Sequence, residues 1–224
     1  MASELVPRPS NLAFDIVVSP MFDENCYIVR RPDSTDAVVI DPGLDPESIQ
    51  RVITEQHLQV KAILNTHGHS DHIAGNEFLK RCWPNAELAI GTGDADKLAD
   101  PVLNLSAPFG LALISPPADR LLSDSERIEY AGLEFTVRDT PGHSRGHIVF
   151  LLDTEIKPAV VFGGDVLFRE SVGRTDFPDA DPTELAKSIK EVLYRLPDDT
   201  IVYPGHGPET TIGYEKMHNP FVPG

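Results

Sequence analysis

Cysteine is scarce. The 224 residues hold two, Cys26 and Cys82, each in an apolar context that reads as a buried free thiol rather than half of a disulfide. No cysteine pair stands near the histidine-rich stretch of the chain, which excludes a structural zinc site there. Basic residues are few as well: 19 Lys and Arg face 35 Asp and Glu, the net charge is −16, and no Lys/Arg run occurs. Such a field repels phosphates and anionic lipid surfaces, so no nucleic-acid or membrane partner is expected. Long apolar runs are missing too. Nothing approaches the ~20 residues of a membrane helix, and the first eleven residues carry no apolar run of the signal-peptide kind. These absences lead to the expectation of a cytoplasmic protein. What remains is ordinary for a globular chain, with 41% hydrophobic and 24% charged residues, and a single domain over residues 1–224 is expected.

The chemistry concentrates in one stretch, Thr66-His67-Gly68-His69-Ser70-Asp71-His72. His67 and His69 lie two apart, so in extended backbone both imidazoles point the same way and can reach one ion. Asp71 and His72 offer ligands to a second position. A lone loop histidine is an ordinary surface residue. Three histidines and an aspartate this close would repel one another as cations and lose hydration as neutral groups, and a bound metal resolves both problems.

The surrounding pattern is α/β. Strands are expected at Leu12–Ser19, Cys26–Arg30, Ala37–Ile40 and Val60–Asn65. Between the last two, Asp45-Pro46 starts a helix with Ile49, Val52 and Ile53 on one face, giving a β-α-β unit with parallel pairing. A helix is expected from His72 to about Arg81, a strand at Ala86–Ile90, a weak helix at Thr92–Ala99, and a long loop at Pro101–Pro117 beside the site. Arg127–Tyr130 and Leu133–Arg138 read as a hairpin around Ala131-Gly132. His147–Leu152 and Ala159–Phe162 read as apolar strands. Asp181-Pro182-Thr183-Glu184 caps a helix whose stripe is Leu185, Ile189, Val192, Leu193 and Leu196, and Thr200–Tyr203 is a last strand. Strand-rich halves with interspersed helices suggest two sheets face to face with helices outside, although periodicity alone does not fix that order.

Three more metal-binding residues follow strands, each with glycine beside it: His143 in Pro141-Gly142-His143, Asp165 in Gly163-Gly164-Asp165, and His206 in Pro204-Gly205-His206-Gly207. Glycine lets backbone approach closely and the next side chain aim inward. With these residues in place, the sequence resembles the metallo-β-lactamase-fold hydrolases over nearly its whole length. The resemblance implies a four-layer αββα sandwich with two divalent metal ions at one sheet edge. It assigns His67, His69 and His143 to the first ion, Asp71, His72 and His206 to the second, and Asp165 as a bridge. Asp41, in Ile40-Asp41-Pro42-Gly43, is similar to the family's buried acid that orients a ligand.

Within that family, Gly163-Gly164-Asp165-Val166-Leu167-Phe168, Gly173-Arg174-Thr175-Asp176 and the tail from Gly205 to Phe221 resemble the short single-domain bacterial glyoxalase II group. The resemblance implies a zinc-dependent thioesterase, with iron or manganese as alternatives, acting on a hydroxyacyl thioester such as S-lactoylglutathione. Asp71 would also take a proton from the nucleophile. In these relatives the loop after the bridging acid helps hold the thiol carrier, which makes Arg169 and Arg174 the expected substrate contacts. Arg169 is expected to face solvent, and Arg174 to sit against Asp176 or Asp179. Longer relatives continue into a helical domain that grips glutathione, so a small-molecule thioester is expected and glutathione only as one possible carrier. Two rival readings are a mononuclear-iron persulfide dioxygenase, which shares Gly173-Arg174-Thr175-Asp176, and a metal-binding domain without turnover.

Overall fold

The computed structural model describes residues 9–224. The first half carries β1 (Ala13–Val18), β2 (Asn25–Arg30), β3 (Asp36–Ile40), α1 (Pro46–Glu55), β4 (Gln59–Asn65), α2 (Ser70–Ile73), α3 (Asn76–Cys82), β5 (Glu87–Gly91) and β6 (Arg120–Leu122). The second half carries β7 (Arg127–Tyr130), β8 (Leu133–Asp139), β9 (Ile148–Leu152), β10 (Val160–Gly164), β11 (Leu167–Phe168), β12 (Ser171–Val172), α4 (Pro182–Glu191), β13 (Ile201–Pro204), β14 (Thr210–Thr211) and α5 (Ile212–His218). Each half builds one six-stranded sheet, in the orders β1-β2-β3-β4-β5-β6 and β14-β13-β10-β9-β8-β7.

Period-two alternation within the strands sorts their side chains into layers. Tyr27, Val29, Val38, Ile40 and Leu64 of the first sheet meet Phe135, Val137, Phe150, Phe162 and Tyr203 of the second in one central core. The alternate residues Cys26, Ile28, Val39 and Ile63 pack outward against Ile49 and Ile53 of α1 and Leu79 of α3. On the far side Val149, Leu151, Val161 and Val202 pack against Leu185 and Ile189 of α4 and Ile212 of α5. The result is the αββα sandwich that the family resemblance implies. Both cysteines are free, Cys26 buried and Cys82 half-buried. Among the described residues no helix is long and apolar enough to cross a membrane.

Several expected elements change form. The helix expected from His72 to Arg81 is two helices, broken at Ala74-Gly75. There Gly75 N donates to Pro42 O at 2.8 Å instead of continuing the helical ladder. A Cβ on Gly75 would stand 2.9 Å from Pro42 Cβ, so the close approach needs glycine. The helix over Thr92–Ala99 is a 3-10 helix. The helix after Asp181 ends at Glu191, and Leu193–Arg195 closes it as a 3-10 turn. Pro197 lies just beyond and disfavours further α-helix, while Leu193 stays fully buried as the stripe requires. Within the Pro101–Pro117 loop, Ala107–Phe109 forms a single 3-10 turn.

The topology places one set of strand ends together. β3 and β4 are parallel, as are β10 and β13, while β2 and β9 run antiparallel to their neighbours β3 and β8. The ends of β3, β4, β8, β10 and β13 and the starts of β2 and β9 therefore share one edge of the sandwich. Phe150, fully buried between the sheets, tests how much this packing carries. Phe150→Ala is expected to lower the unfolding free energy by about 3–5 kcal/mol in a urea titration with the slope unchanged. A loss below about 1 kcal/mol would contradict the sandwich core.

Candidate metal centre

All seven side chains expected as metal ligands sit at that edge. β4 runs straight into His67 and His69, and α2 turns Asp71 and His72 back toward them. His143 follows β8, Asp165 follows β10 and His206 follows β13. Gly205 shows why small residues flank these positions: a Cβ there would lie 2.3 Å from Asp165 Oδ1 and 2.6 Å from His72 Cε1.

The ligand-type atoms converge in three sets, each within 4.8 Å: His67, His69 and His143; His67, His72 and Asp165; Asp71, His72 and His206. The first and third are the two triads that the family resemblance implies. Asp165 stands between them. Its Oδ1 lies 3.4 Å from His72 Nε2, and its Oδ2 lies 3.5 Å from both His143 Nε2 and His206 Nε2. Asp71 Oδ2 is 3.4 Å from His206 Nε2. A tetrahedral zinc with bonds of about 2.0–2.1 Å sets its ligand atoms about 3.3–3.4 Å apart, so these separations suit such an ion.

Hydrogen bonds on the other ring nitrogens aim the imidazoles. His72 Nδ1 lies 3.1 Å from Asp41 Oδ2, His143 Nδ1 lies 2.9 Å from Arg174 O, and His206 Nδ1 lies 2.9 Å from Phe22 O. His67 Nδ1 is 3.1 Å from Thr66 Oγ1, which itself donates to Asp41 Oδ2 at 2.7 Å. With Nδ1–H occupied, the Nε2 lone pair faces inward. The buried His67 Nε2, His72 Nε2 and Asp165 Oδ1 have no hydrogen-bond partner, which a buried polar atom tolerates poorly. A shared cation supplies what they lack, so the residues fit divalent metal ions.

The electrostatics divide the site. Burial, helped by neighbouring rings, pushes His67 and His69 well below the usual imidazole range, and burial also lowers His143. The shift favours the neutral, metal-binding form of all three. For His72, burial is outweighed by the carboxylates of Asp165, Asp71 and Asp41, which together hold it well above that range. His206 is raised in the same way by Asp71 and Asp165. Burial acts to raise Asp165, yet His72, His143 and His206 hold it far below the usual carboxylate range.

The sequence reading missed three residues that brace this centre. Asp94, fully buried in the 3-10 helix, accepts from Gly68 N at 2.9 Å, Ser144 Oγ at 2.7 Å and Gly146 N at 2.8 Å. It thereby clips the His67–His69 loop to the His143 loop. Lys97, 2% exposed, donates to Asp179 Oδ2 at 2.6 Å and ties in the loop after β12. His147 stacks on His67 with centroids 5.1 Å apart, and its Nε2 accepts from Asp165 N at 3.0 Å. The repeated Gly-His in Gly142-His143-Ser144-Arg145-Gly146-His147 was the available signal for that histidine.

Asp41 behaves as the resemblance implies. It is 2% exposed, holds φ +49°, and its Oδ1 accepts from Thr66 N at 2.7 Å. Arg174 pairs with Asp176 as expected, but the exposures of the two arginines are the reverse of the expectation. Arg169 is half-buried, with its guanidinium 4.8 Å from the centroid of the Tyr214 ring. Arg174 is the exposed one, and its fork is occupied by Asp176 at 2.9 and 2.7 Å. The two residues sit side by side on a surface loop, so their pairing needs no burial.

A model of the metallo-beta-lactamase superfamily matches residues 20–206. The chain belongs to that superfamily. Hydroxyacylglutathione hydrolase GloC of Haemophilus influenzae is 38% identical over 215 residues, covering 93% of this chain and 97% of its own length. The crystal structure of the B3 metallo-beta-lactamase BLEG-1 superposes with a TM-score of 0.89 at 37% identity, covering 95% of this chain and all of that one. The structure of TTHA1623 in a di-iron-bound form gives a TM-score of 0.81 at 37% identity, covering 93% of this chain and all of that one. The superfamily and the His/Asp cluster together make this chain a metallo-hydrolase with a divalent-metal site.

The Asp94 clip generates a test. Asp94→Asn turns one acceptor oxygen into a donor facing groups that already donate. Metal affinity is expected to fall about 10–100-fold, measured by competition with a chelating dye, while the circular dichroism of the sheets is retained. Unchanged affinity would show that the two loops hold their ligands without it.

Proposed function

We propose that the chain is a binuclear metal-dependent thioesterase of the glyoxalase II type, hydrolysing a hydroxyacyl thioester such as S-lactoylglutathione. The observation that carries the binuclear reading is the place of Asp165 between the two triads, within 3.4–3.5 Å of His72, His143 and His206. The 38% identity to GloC supports thioester hydrolysis. In this reading His67, His69 and His143 would hold one ion, Asp71, His72 and His206 would hold the other, and Asp165 would be shared between them. Zinc is the first candidate, given the nitrogen-rich ligand set, with iron next. Divalent ions, once bound, supply Lewis acidity that acidifies a water and draws charge from a carbonyl.

The chain's own residues do the rest. The neutral imidazoles of His67, His69 and His143 present lone pairs without first having to lose a proton. Asp71, 21% exposed, opens onto the cleft and takes a proton from the attacking water. The water oxygen bonds to the acyl carbon, the C–S bond breaks, the thiolate leaves and takes up a proton from solvent, and Asp71 returns its proton to solvent. The products are a carboxylic acid and a thiol.

A second reading has its own support in BLEG-1: amide-bond hydrolysis in a β-lactam ring. The test is a panel run on metal-loaded protein. It holds S-lactoylglutathione and other thioesters followed by thiol release, a chromogenic cephalosporin, and a glutathione persulfide followed by oxygen uptake. Thioester turnover far above the other two is expected, with two metals per chain by elemental analysis. Turnover of the cephalosporin alone would favour the second reading, and oxygen uptake with one iron would replace both.

Asp165→Asn removes the carboxylate that both triads face. It is expected to cut metal content below two per chain and turnover more than about 100-fold. Two retained metals with a wild-type rate would refute the bridge.

A further inference from the structure

Two aromatic rings stand exposed on loops that are hydrogen-bonded to the metal-ligand cluster. Phe22, in the turn between β1 and β2, is 43% exposed, and Phe109, at the end of the 3-10 turn, is 62% exposed. They come from separate loops, yet their rings meet edge to face with centroids 5.2 Å apart. Single exposed apolar side chains are common and need no explanation. A paired aromatic surface beside a ligand cluster is a different matter.

Both loops are fastened to the site itself. The carbonyl oxygen of Phe22 accepts from His206 Nδ1. The loop of Phe109 is anchored by Asn104, whose carbonyl accepts from Ser70 N at 2.8 Å, at the start of the helix that carries Asp71 and His72. Asn104 is buried and also donates to Lys97 O and Leu113 O, so the base of the loop is fixed while its tip is open. Phe22 holds φ +71° and Asp23 φ +54°. Left-handed backbone is uncommon for a bulky residue and persists only where the surroundings enforce it. Here it keeps the Phe22 carbonyl on His206 while the ring reaches Phe109. On the other flank, Phe177 stands edge-on to His69 and His143 at 5.1 and 5.5 Å, beneath Arg174.

We infer that Phe22 and Phe109 form an apolar clamp on the His206 side of the cleft that takes the acyl chain of the substrate, and that the site therefore favours acyl groups longer and more apolar than lactoyl. The thiol carrier then lies on the other flank, beside Phe177 and Arg174. The inference rests on thioester hydrolysis as the reaction of this site. A buried methylene is worth about a fourfold change in an equilibrium or specificity constant, and a half-open clamp captures part of that.

The test measures kcat/KM for acetyl, butyryl, hexanoyl and octanoyl thioesters of one thiol, in wild type, Phe109→Ala and Phe109→Leu at equal metal content. Wild type is expected to gain about two- to fourfold per methylene over the shorter members. Phe109→Ala should halve that gain or more, so that its deficit grows with chain length, and Phe109→Leu should recover most of it. In parallel, calorimetry follows binding of the straight-chain carboxylates of the same lengths, the products of that hydrolysis, to the metal-loaded proteins. A chain-length gain in carboxylate binding that Phe109→Ala flattens, with no thioester turned over, would sink the thioesterase reading and support the clamp. A flat wild-type series in both measurements, or an equal loss at every chain length in Phe109→Ala, would overturn the clamp.

Discussion

The whole molecule depends on crowding ionisable groups where they would not gather alone. Around the His67 ring, centroids of His72, His69, His143 and His147 lie 4.2, 4.6, 4.9 and 5.1 Å away. As imidazolium ions these rings would repel strongly in a site with little solvent, and as neutral rings they surrender hydration. The structure splits the difference. Burial shifts His67, His69, His143 and His147 toward the neutral form, while the carboxylates of Asp165 and Asp71 favour the charged form of His72 and His206. Neither solution gives His67 Nε2 or Asp165 Oδ1 a partner, and a cation shared among them would supply one.

Holding such a cluster requires that its parts come from rigid elements, because a loose loop would let the groups drift apart. The sandwich provides this by ending parallel strands side by side. Asp41 spans the gap between β3 and β4, reaching Thr66 and His72 at once. Asp94 joins the two halves through Gly68, Ser144 and Gly146, and His147 stacks on His67 while its Nε2 accepts from Asp165 N. Asn65 adds a polar link between the end of β4 and α2 and α3, donating to His72 O and accepting from Asn76 Nδ2. A partly satisfied buried network is costly, so these braces also confine the unsatisfied atoms to the face where a metal can meet them.

That logic explains what could be read from residues alone. His67, His69, Asp71 and His72 are close in sequence, so their spacing speaks directly. His143, Asp165 and His206 each follow an apolar strand and a glycine, a local pattern repeated three times. Asp94, Lys97 and His147 act through partners 18 to 82 residues away, and nothing local marks an aspartate that accepts from three distant groups. The helix break at Gly75 is likewise tertiary, since it depends on Pro42 occupying the space a side chain would need. The two-residue strands β11, β12 and β14 are too short to show any period. The exposures of Arg169 and Arg174 were reversed because Tyr214, far along the chain, offers a ring to one of them.

Charge bears on the kind of molecule the cleft admits. The chain carries a net −16, and two divalent ions at the site would bring that only to −12. An acidic surface of this size raises the local concentration of cations and lowers that of anions, which favours metal capture and disfavours polyanionic substrates. Most cations near the site are already engaged: Arg174 with Asp176, Lys97 with Asp179, Arg145 with Asp96, while Arg169 lies over the Tyr214 ring. With metal bound, an approaching substrate would meet cationic charge at the His/Asp cluster within an acidic protein, with the exposed Phe22 and Phe109 rings on adjoining loops. In the thioesterase reading, selection in such a setting would fall to apolar contact and to the carbonyl itself rather than to salt bridges. On that ground Phe22 and Phe109 would discriminate among substrates more strongly than either arginine of the loop after Asp165.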